Sequence, residues 1–555
     1  MRTDLDPTPQ PPPRTGEGES DHRTPPPVEK RLTVFSPPLR FGEGVGGWGR
    51  LKALWPGPAL FLLFWLSLQF GGTRFLRDPG TFWHIATGEK ILHDGFIAAD
   101  PYTFTFAGTP WVPYQWLGEV GMALLHRLGG LDAVLAASTA TAAGLLAWLA
   151  ARLVRTGLHP IFAIGFALLA ASVMAHHFHA RPLLFTMCGM AAVMTAVCRF
   201  EAGDTRLSRM WWLVPLFWVW TNVHGGMLGG LTTLGLAGVG WTAWRLIGWP
   251  SPLTSWKAVF ALLALGLACG LTAFASPYGL DMPRTWMLIL NMPHLPDLIV
   301  EHSRFDPADP KGWTTLVLAA VYLVLLAGVR PGRPRVAWLV PLFWLAQAML
   351  RVRHGSLFAV VATVAVIDLW PHTRYARWLA ARRPDVYTPP TTPPRGSFWP
   401  VLATAIVCVA VAVACQWNGS PVPLVGAGSA KLDPKQWPLE LLDDLKRLEP
   451  RPGEQDRTFC EYTFGGFLIY HTPGYKVFVD DRCEVFGDDW LLEFIRADEK
   501  GTAEAMARWQ TRYGRFDFAL AATTDRDMGY DWYFRTSPEW ECVRRTGTAT
   551  LYRKK

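Results

Sequence analysis

Long apolar runs alternate with short polar segments along the chain from residue 55 to residue 417. A bilayer core about 30 Å thick needs roughly 20 apolar residues per helix, and runs of about that length recur through this region. We therefore predict a polytopic α-helical membrane protein with about eleven transmembrane helices. The predicted spans are residues 55–75, 133–153, 161–177, 183–200, 211–223, 227–247, 258–275, 313–329, 336–350, 357–370 and 398–416.

The segments on either side of this region have different compositions. Residues 1–53 are rich in proline, glycine and charge, which predicts a disordered tail. Residues 54–417 form the predicted membrane domain, with a long first loop at 76–132. Residues 431–555 alternate short strand-like and helix-like patterns, which predicts a soluble α/β domain with a mainly parallel sheet.

Charge sets the expected orientation. Lys and Arg are more frequent in the short segments on the side of the N-terminal tail, and cytoplasmic loops carry this excess. We therefore expect the tail in the cytoplasm and the first loop outside. An odd number of spans then places the C-terminal domain outside as well, so that the α/β domain is extracytoplasmic.

Composition excludes one class of partner and favours another. The net charge is +8, but the cations lie in short loops between apolar runs and not on one basic face, so no nucleic-acid partner is expected. Half of the residues are hydrophobic and 28 are tryptophan, which suits the lipid bilayer and its interfaces. The eight cysteines show no zinc-type spacing with histidine.

The segment RDPGTFWHIATGE, Arg77 to Glu89, follows directly on the first apolar run. Ionisable groups near the membrane are costly and usually functional. Asp78 is a candidate catalytic carboxylate, because an ionised carboxylate within about 3 Å of a hydroxyl can take its proton. His84 is a second catalytic candidate, as a hydrogen-bond donor to a leaving phosphate.

The predicted orientation places further polar residues at the outer ends of other spans. Arginine binds phosphate oxygens bidentately, and histidine and asparagine donate hydrogen bonds to them. We therefore expect an anionic substrate to be bound at this face. The candidate substrate-binding residues are His176, Arg181, Asn222, His224, Arg304, Arg351, Arg353 and His354.

Each of these residues also has a simpler interpretation. Asp78-Pro79-Gly80 is an ordinary turn pattern. Arg351 and Arg353 suit anchors that extend toward the interface, and Asn222 and His224 suit a helix end. The joint placement of these groups on one face favours a site.

The pattern D-P-x-x-x-W-H-x-x-x-G-E, which begins at Asp78, resembles bacterial membrane glycosyltransferases of the GT-C superfamily. Further motifs of the same resemblance are DPYTFTFAGTPWVPYQWLGE in the first loop, ARPLLFT at 180–186, WTNVHGG at 220–226 and SPYG at 276–279. The resemblance implies a protein of the bacterial inner membrane. It further implies transfer of a sugar from a polyprenyl-phosphate donor to a glycan, lipid or protein acceptor on the extracytoplasmic face, with inversion, and Asp78 as the essential acid.

One position departs from this resemblance. Many members carry a second acid two residues after the first, and this chain has Gly80 there. The departure favours a metal-independent reaction, and we expect no cofactor and no metal ligands. Glu119 and Asp100 are candidates for a second acid elsewhere in the first loop.

Two alternatives to a glycosyltransferase stay open. A transporter or flippase of a lipid-linked substrate would show internal repeats and charges near the bilayer midplane, and the sequence shows neither. A non-catalytic envelope scaffold is the other, and Gly80 mildly favours it.

In the C-terminal domain, Gly465-Gly466 is interpreted as a packing feature, and residues 480–482 (DDR) as an ion pair that fixes a loop.

Overall fold

The computed structural model describes residues 56–295, 302–330, 332–391, 398–450 and 456–555. These residues belong to one unit, Lys52–Lys555. The predicted N-terminal tail lies outside the described residues.

A helix lies at each of the eleven predicted span positions, and the described parts of the connecting segments contain three further helices. Capping side chains begin some of them: Ser255 Oγ accepts the Ala258 N–H at 3.2 Å, and His159 precedes a helix that starts at Pro160. The helices of this part are α1 Pro56–Phe70, α2 Gly80–Asp94, α3 Trp116–Arg155, α4 Pro160–Met174, α5 Leu183–Glu201, α6 Leu213–Val223, α7 Met227–Leu246, α8 Trp256–Leu271, α9 Asp281–Leu290, α10 Pro310–Ala327, α11 Val340–Leu350, α12 His354–Leu369, α13 Arg374–Arg382 and α14 Trp399–Trp417.

Within the described residues, six helices are long and apolar enough to cross a membrane, counting the short 3-10 turns that extend three of them. The chain is therefore a multi-pass membrane protein. Several of the remaining apolar helices are shorter than the roughly 20 residues that a bilayer core requires. The six are Trp116–Arg155, Pro160–His177, Leu183–Glu201, Trp256–Phe274, His354–His372 and Trp399–Trp417.

Helix α3 is central to the membrane domain and packs against both α1 and α14. Half of its buried residues are alanine, and small residues allow helix backbones to approach closely. Trp65 of α1 donates its indole N–H to the Ala136 carbonyl at 3.2 Å across this contact. A break at Gly129 and Gly130 separates the membrane part of α3 from its first turns, which pack against α2.

The C-terminal domain contains a five-stranded sheet in the order β2-β1-β3-β5-β4. The first three strands are parallel, but β5 runs antiparallel to both β3 and β4, so the sheet is mixed and not mainly parallel. The reason is that the chain ends in a hairpin, and a hairpin pairs antiparallel. The strands are β1 Asp456–Cys460, β2 Tyr475–Val477, β3 Phe518–Ala522, β4 Trp540–Arg545 and β5 Ala549–Lys554; the helices are α15 Leu442–Leu448, α16 Tyr462–His471, α17 Cys483–Phe486, α18 Asp488–Glu499, α19 Thr502–Tyr513 and α20 Gly529–Thr536.

Candidate functional site

The first loop is joined to the C-terminal domain by backbone pairing. Thr103 forms a parallel bridge with Val477 of β2. The Phe104 N–H donates to the Val477 carbonyl, and the Val477 N–H donates to the Tyr102 carbonyl, each at 3.1 Å. The loop therefore extends the sheet at its β2 edge, and the two parts of the chain are held in one arrangement.

Helix α16 also packs directly against the start of α2. A Cβ built on Gly466 would lie 2.4 Å from the Pro79 carbonyl oxygen, so a larger residue cannot occupy this position without displacement of the backbone. This close approach agrees with the interpretation of Gly465-Gly466 as a packing feature. It brings the C-terminal domain against the residue that follows Asp78.

A buried ion cluster fixes the loop after β2. Arg482 binds Asp480 at 2.6 Å and Asp100 of the first loop at 2.8 Å, and all three side chains are inaccessible to solvent. The guanidinium carbon lies 4.9 Å and 4.4 Å from the ring centroids of Tyr102 and Trp111. The expected ion pair in the DDR segment is thus present, and it reaches across to the first loop.

Asp78 lies at the start of α2 and is 8% exposed. Its Oδ1 accepts the Gly80 N–H at 2.7 Å and lies 2.5 Å from Nη2 of Arg181. The free N–H groups and the positive end of the helix dipole stabilise a carboxylate in this position. Asp78 and Arg181, which the sequence places in separate motifs, therefore form one ion pair.

Asp481 is the site residue that sequence reasoning missed. Its Oδ2 lies 2.5 Å from the same Nη2 of Arg181, and its Oδ1 accepts the indole N–H of Trp83 at 2.7 Å. Burial raises the pKa of Asp481 to about 7; the charge of Arg181 opposes this, and that of Asp78 adds to it. The available signal in the sequence is the segment DDR, residues 480–482, which follows a strand. Its second acid, Asp481, binds Arg181, whereas Arg482 binds Asp480 and Asp100.

His84 lies one turn into α2 and is buried against Glu119 of α3. Its Nδ1 lies 3.0 Å from Oε1 of Glu119, and both side chains are 1% exposed. Burial lowers the pKa of His84 well below its usual value, and the nearby charges of Arg181 and His224 lower it further. His84 is therefore a neutral imidazole at neutral pH, close to Arg181.

Asn222 and His224 end α6 on the same side. The Asn222 amide is used in packing: it accepts from the Trp116 indole at 2.7 Å and donates to the carbonyls of Trp218 and Ala275. His224 Nδ1 accepts the Gly226 N–H at 2.9 Å, which places the proton of a neutral ring on Nε2. His224 thus has the properties of a hydrogen-bond donor, while Asn222 holds the first loop.

Arg353 lies in the segment between α11 and α12. Its Nη1 lies 2.6 Å from Nε2 of His302. Tyr114 of the first loop has its pKa raised by burial and by Glu484, whereas Arg353 and Arg181 lower it. The positive charges of Arg353 and Arg181 therefore both act on the Tyr114 hydroxyl.

The other predicted substrate-binding residues are less closely placed. Arg304 is exposed and Arg351 is half-buried. The His354 ring lies 3.3 Å from the Gln347 carbonyl, within its own helix pair. His176 contributes its carbonyl to His179 at 3.0 Å.

Neither candidate for a second acid in the first loop pairs with Asp78. Asp100 is the buried partner of Arg482 and accepts two loop N–H groups, those of Tyr102 and Thr103. Glu119 is occupied with His84 through one oxygen, and its other oxygen has no hydrogen-bond partner among the described residues. The acid that shares a cation with Asp78 is Asp481.

The geometry beside Asp78 does not fit a divalent metal. The Arg181 guanidinium lies between the two carboxylates, and position 80 has no side chain to contribute a ligand. Among the described residues, the one group with metal-ligand spacing is His294, Asp488 and Asp489, where the loop after α9 meets α18. Asp488 already accepts the His294 backbone N–H there, at 2.9 Å.

No protein-family model matches the chain, and no curated protein matches it in sequence. Solved structures resemble it in fold. ArnT from Cupriavidus metallidurans, bound to undecaprenyl phosphate, has a TM-score of 0.44 at 15% identity, over 89% of this chain and 97% of that one. The oligosaccharyltransferase of Archaeoglobus fulgidus, tethered to an acceptor peptide, has a TM-score of 0.46 at 11% identity, over 86% and 69%.

The apo form of the same oligosaccharyltransferase has a TM-score of 0.47 at 12% identity, over 87% of this chain and 70% of that one. All are polytopic membrane glycosyltransferases of GT-C type, the superfamily that the sequence motifs resemble.

Proposed function

We propose that the protein is an inverting membrane glycosyltransferase that transfers a sugar from a polyprenyl-phosphate donor to an acceptor on the extracytoplasmic face. The observation that carries this proposal is the ion pair of Asp78 and Arg181 at 2.5 Å, at the start of α2 and beside the membrane domain. A largely buried acid next to a phosphate-binding cation is the combination that such a transfer requires.

In the proposed reaction Asp78 accepts the proton of the acceptor hydroxyl. The acceptor oxygen forms a bond to the anomeric carbon as the bond from that carbon to the phosphate oxygen breaks, and the electron pair leaves on the polyprenyl phosphate. Attack on the face opposite to the leaving group inverts the anomeric centre. Arg181 and Arg353 stabilise the negative charge of the phosphate, and a protonated Nε2 of His224 adds a hydrogen bond.

The geometry supports a reaction without a metal. A cation that can contact the leaving phosphate, the guanidinium of Arg181, is already present beside Asp78. The proposed topology has the N-terminus in the cytoplasm and eleven spans, which puts the first loop and the C-terminal domain in the compartment where the acceptor is found.

Mass spectrometry of lipid-linked sugars and envelope glycans, with and without the protein, tests this proposal. Asp78→Asn is compared with Asp94→Asn, since Asp94 is an exposed acid of the same helix that pairs with Lys90 at 2.6 Å. A lost general base lowers the rate by about 10²–10⁴-fold. We expect Asp78→Asn to match the strain without the protein, and Asp94→Asn to match the wild type.

Unchanged glycans with Asp78→Asn at normal protein level would contradict the catalytic role of Asp78. Unchanged glycans and lipid-linked sugars in the strain that lacks the protein would favour the envelope scaffold instead.

A further inference from the structure

The C-terminal domain contributes a charged group to the Asp78 site. Asp481 follows β2, and its side chain is 6% exposed. Both of its oxygens are engaged by the other part of the chain, Oδ2 with Arg181 and Oδ1 with Trp83 of α2. A carboxylate that is buried against a guanidinium and an indole N–H is held in one orientation.

Asp78 and Asp481 bind the same nitrogen atom. Each carboxylate oxygen lies 2.5 Å from Nη2 of Arg181, so the two oxygens are no more than about 5 Å apart. One cation thus bridges two acids that come from different domains. This arrangement fixes the position of the guanidinium more firmly than either acid alone would.

Position 80 is adjacent to the same guanidinium. A Cβ built on Gly80 would lie 2.0 Å from Nη2, 2.2 Å from Nε and 2.3 Å from Cζ of Arg181. Since a guanidinium is the far end of a flexible side chain, it can withdraw from an added side chain. A carboxylate on residue 80 would then reach Arg181, which is the contact that Asp481 now makes.

We propose that Asp481 is a positioning residue of the site: the C-terminal domain provides the second carboxylate that position 80 lacks, and this carboxylate holds Arg181 in place for the donor phosphate. The catalytic meaning of this inference rests on the proposed function. The structural part, in which Arg181 is held jointly by Asp78 and Asp481, stands independently.

Contacts within the protein hold the residues around Asp481 in place without substrate. Its neighbours Asp480 and Arg482 are fixed by the buried pair with Asp100. The Tyr462 hydroxyl donates to the Asp481 carbonyl at 3.3 Å, and Gly466 keeps α16 against Pro79. The domain is therefore docked rigidly enough to place one carboxylate accurately.

A reciprocal exchange tests the inference in the full chain. The variants are Asp481→Gly, Gly80→Asp and the double variant with both changes. Asp527→Gly is the matched control, because Asp527 is an exposed loop acid of the same domain with a side-chain exposure of 91%. The readouts are the donor and acceptor KM values, kcat, and binding of undecaprenyl phosphate measured as a thermal shift.

We expect Asp481→Gly to raise the donor KM about tenfold or more, the usual effect of losing a charge-assisted hydrogen bond, and to leave the acceptor KM unchanged. Gly80→Asp alone places three acids around one cation and also impairs the protein. The double variant restores the donor KM to within about threefold of the wild type. Asp527→Gly behaves as the wild type.

The inference is overturned by a donor KM in Asp481→Gly equal to that of the wild type. It is also overturned by a folded double variant no better than Asp481→Gly. If the wild type transfers no sugar, the proposed function fails, and the binding of undecaprenyl phosphate decides the inference. Weaker binding by Asp481→Gly with recovery in the double variant supports it, and equal or absent binding in all variants rejects it.

Discussion

The guanidinium of Arg181 occupies the space that a side chain on Gly80 would fill, with its Nη2 only 2.0 Å from an ideal Cβ at that position. The absence of a second acid at position 80 is therefore linked to the location of this cation. Arg181 also contacts Asp78 and Asp481. A side chain at position 80 would therefore alter the contacts among three separate segments of the chain.

Gly80→Ala tests this relationship with one methyl group. We expect a lower rate of sugar transfer, since the methyl displaces a guanidinium that two carboxylates hold in place and, unlike an aspartate at position 80, offers it no new partner. The matched control is Gly121→Ala, because a Cβ at Gly121 meets no atom within 4 Å. That control should gain about 0.5–1 kcal/mol of stability, as alanine does in a helix. Equal transfer rates in the two variants would refute the steric argument.

Arg482→Met should strongly destabilise the junction between the first loop and the C-terminal domain. It leaves the buried Asp480 and Asp100 without their cation, a change that typically costs about 3–5 kcal/mol. Thermal unfolding and limited proteolysis of the detergent-solubilised chain measure the loss. Arg508→Met is the control, as it breaks an exposed pair with Glu493 worth about 0–1 kcal/mol. Similar losses in both variants would contradict the account.

The transfer rate should fall as the pH is lowered through about 7. Burial raises the pKa of Asp481 to about 7, with Asp78 and Asp480 raising it and Arg181 and Trp83 lowering it. A carboxyl with a raised pKa is ionised above that value and protonated below it, so acidification neutralises the acid that positions Arg181. Transfer rates measured from pH 5 to 9 check this, and the Asp481→Asn variant should not show this fall of the rate at acidic pH. If the rate of the Asp481→Asn variant still falls at acidic pH, the fall is caused by a titratable residue other than Asp481.

Trp83→Phe should shift the fall of the transfer rate at acidic pH to a higher pH. The indole N–H donates to Asp481 Oδ1 at 2.7 Å and lowers the pKa of that carboxyl, so its removal raises the pKa. Trp437→Phe is the control, because the Trp437 indole donates to the Leu76 carbonyl and not to an acid. A shift of equal size in both variants would indicate a general effect of losing a buried indole.

Chelators should leave sugar transfer unchanged. The cation between Asp78 and Asp481 is a guanidinium that no chelator removes. His294, Asp488 and Asp489 remain as a separate group in which chelation is able to alter stability. Transfer rate and melting temperature are therefore measured together, with and without EDTA. Loss of transfer that manganese or magnesium restores, at constant melting temperature, would show that the reaction uses a metal.

The sequence predicts the helices well because their signal is local. Apolar runs of membrane length can satisfy their backbone polar groups in lipid only as helices, so each run yields a helix at the expected position. The first loop was likewise identified as unusual from its own residues, since an acid and a histidine beside a span stand out in composition. The pairing of His84 with Glu119 was not predicted, because it depends on how α2 and α3 pack.

The partners of the acids could not be predicted from the sequence. Asp100 and Glu119 are the first-loop candidates for a second acid, yet Asp100 binds Arg482 and Glu119 binds His84. Asp481, separated from Arg181 by 300 positions, is the acid that meets the Asp78 site. The prediction of an ion pair in the DDR segment is confirmed for Asp480 and Arg482. Asp481, between them, instead binds Arg181.

The sequence by itself determined the elements and the chemical types present: membrane helices from apolar length, an acid and a histidine beside the first span, and arginines at helix ends. The tertiary structure alone decided which charges share one location. Backbone pairing of Thr103 with Val477 and the close approach of Gly466 to Pro79 dock the C-terminal domain on the first loop. Side-chain contacts of this kind arise from packing between distant segments, and no local pattern of residues encodes them.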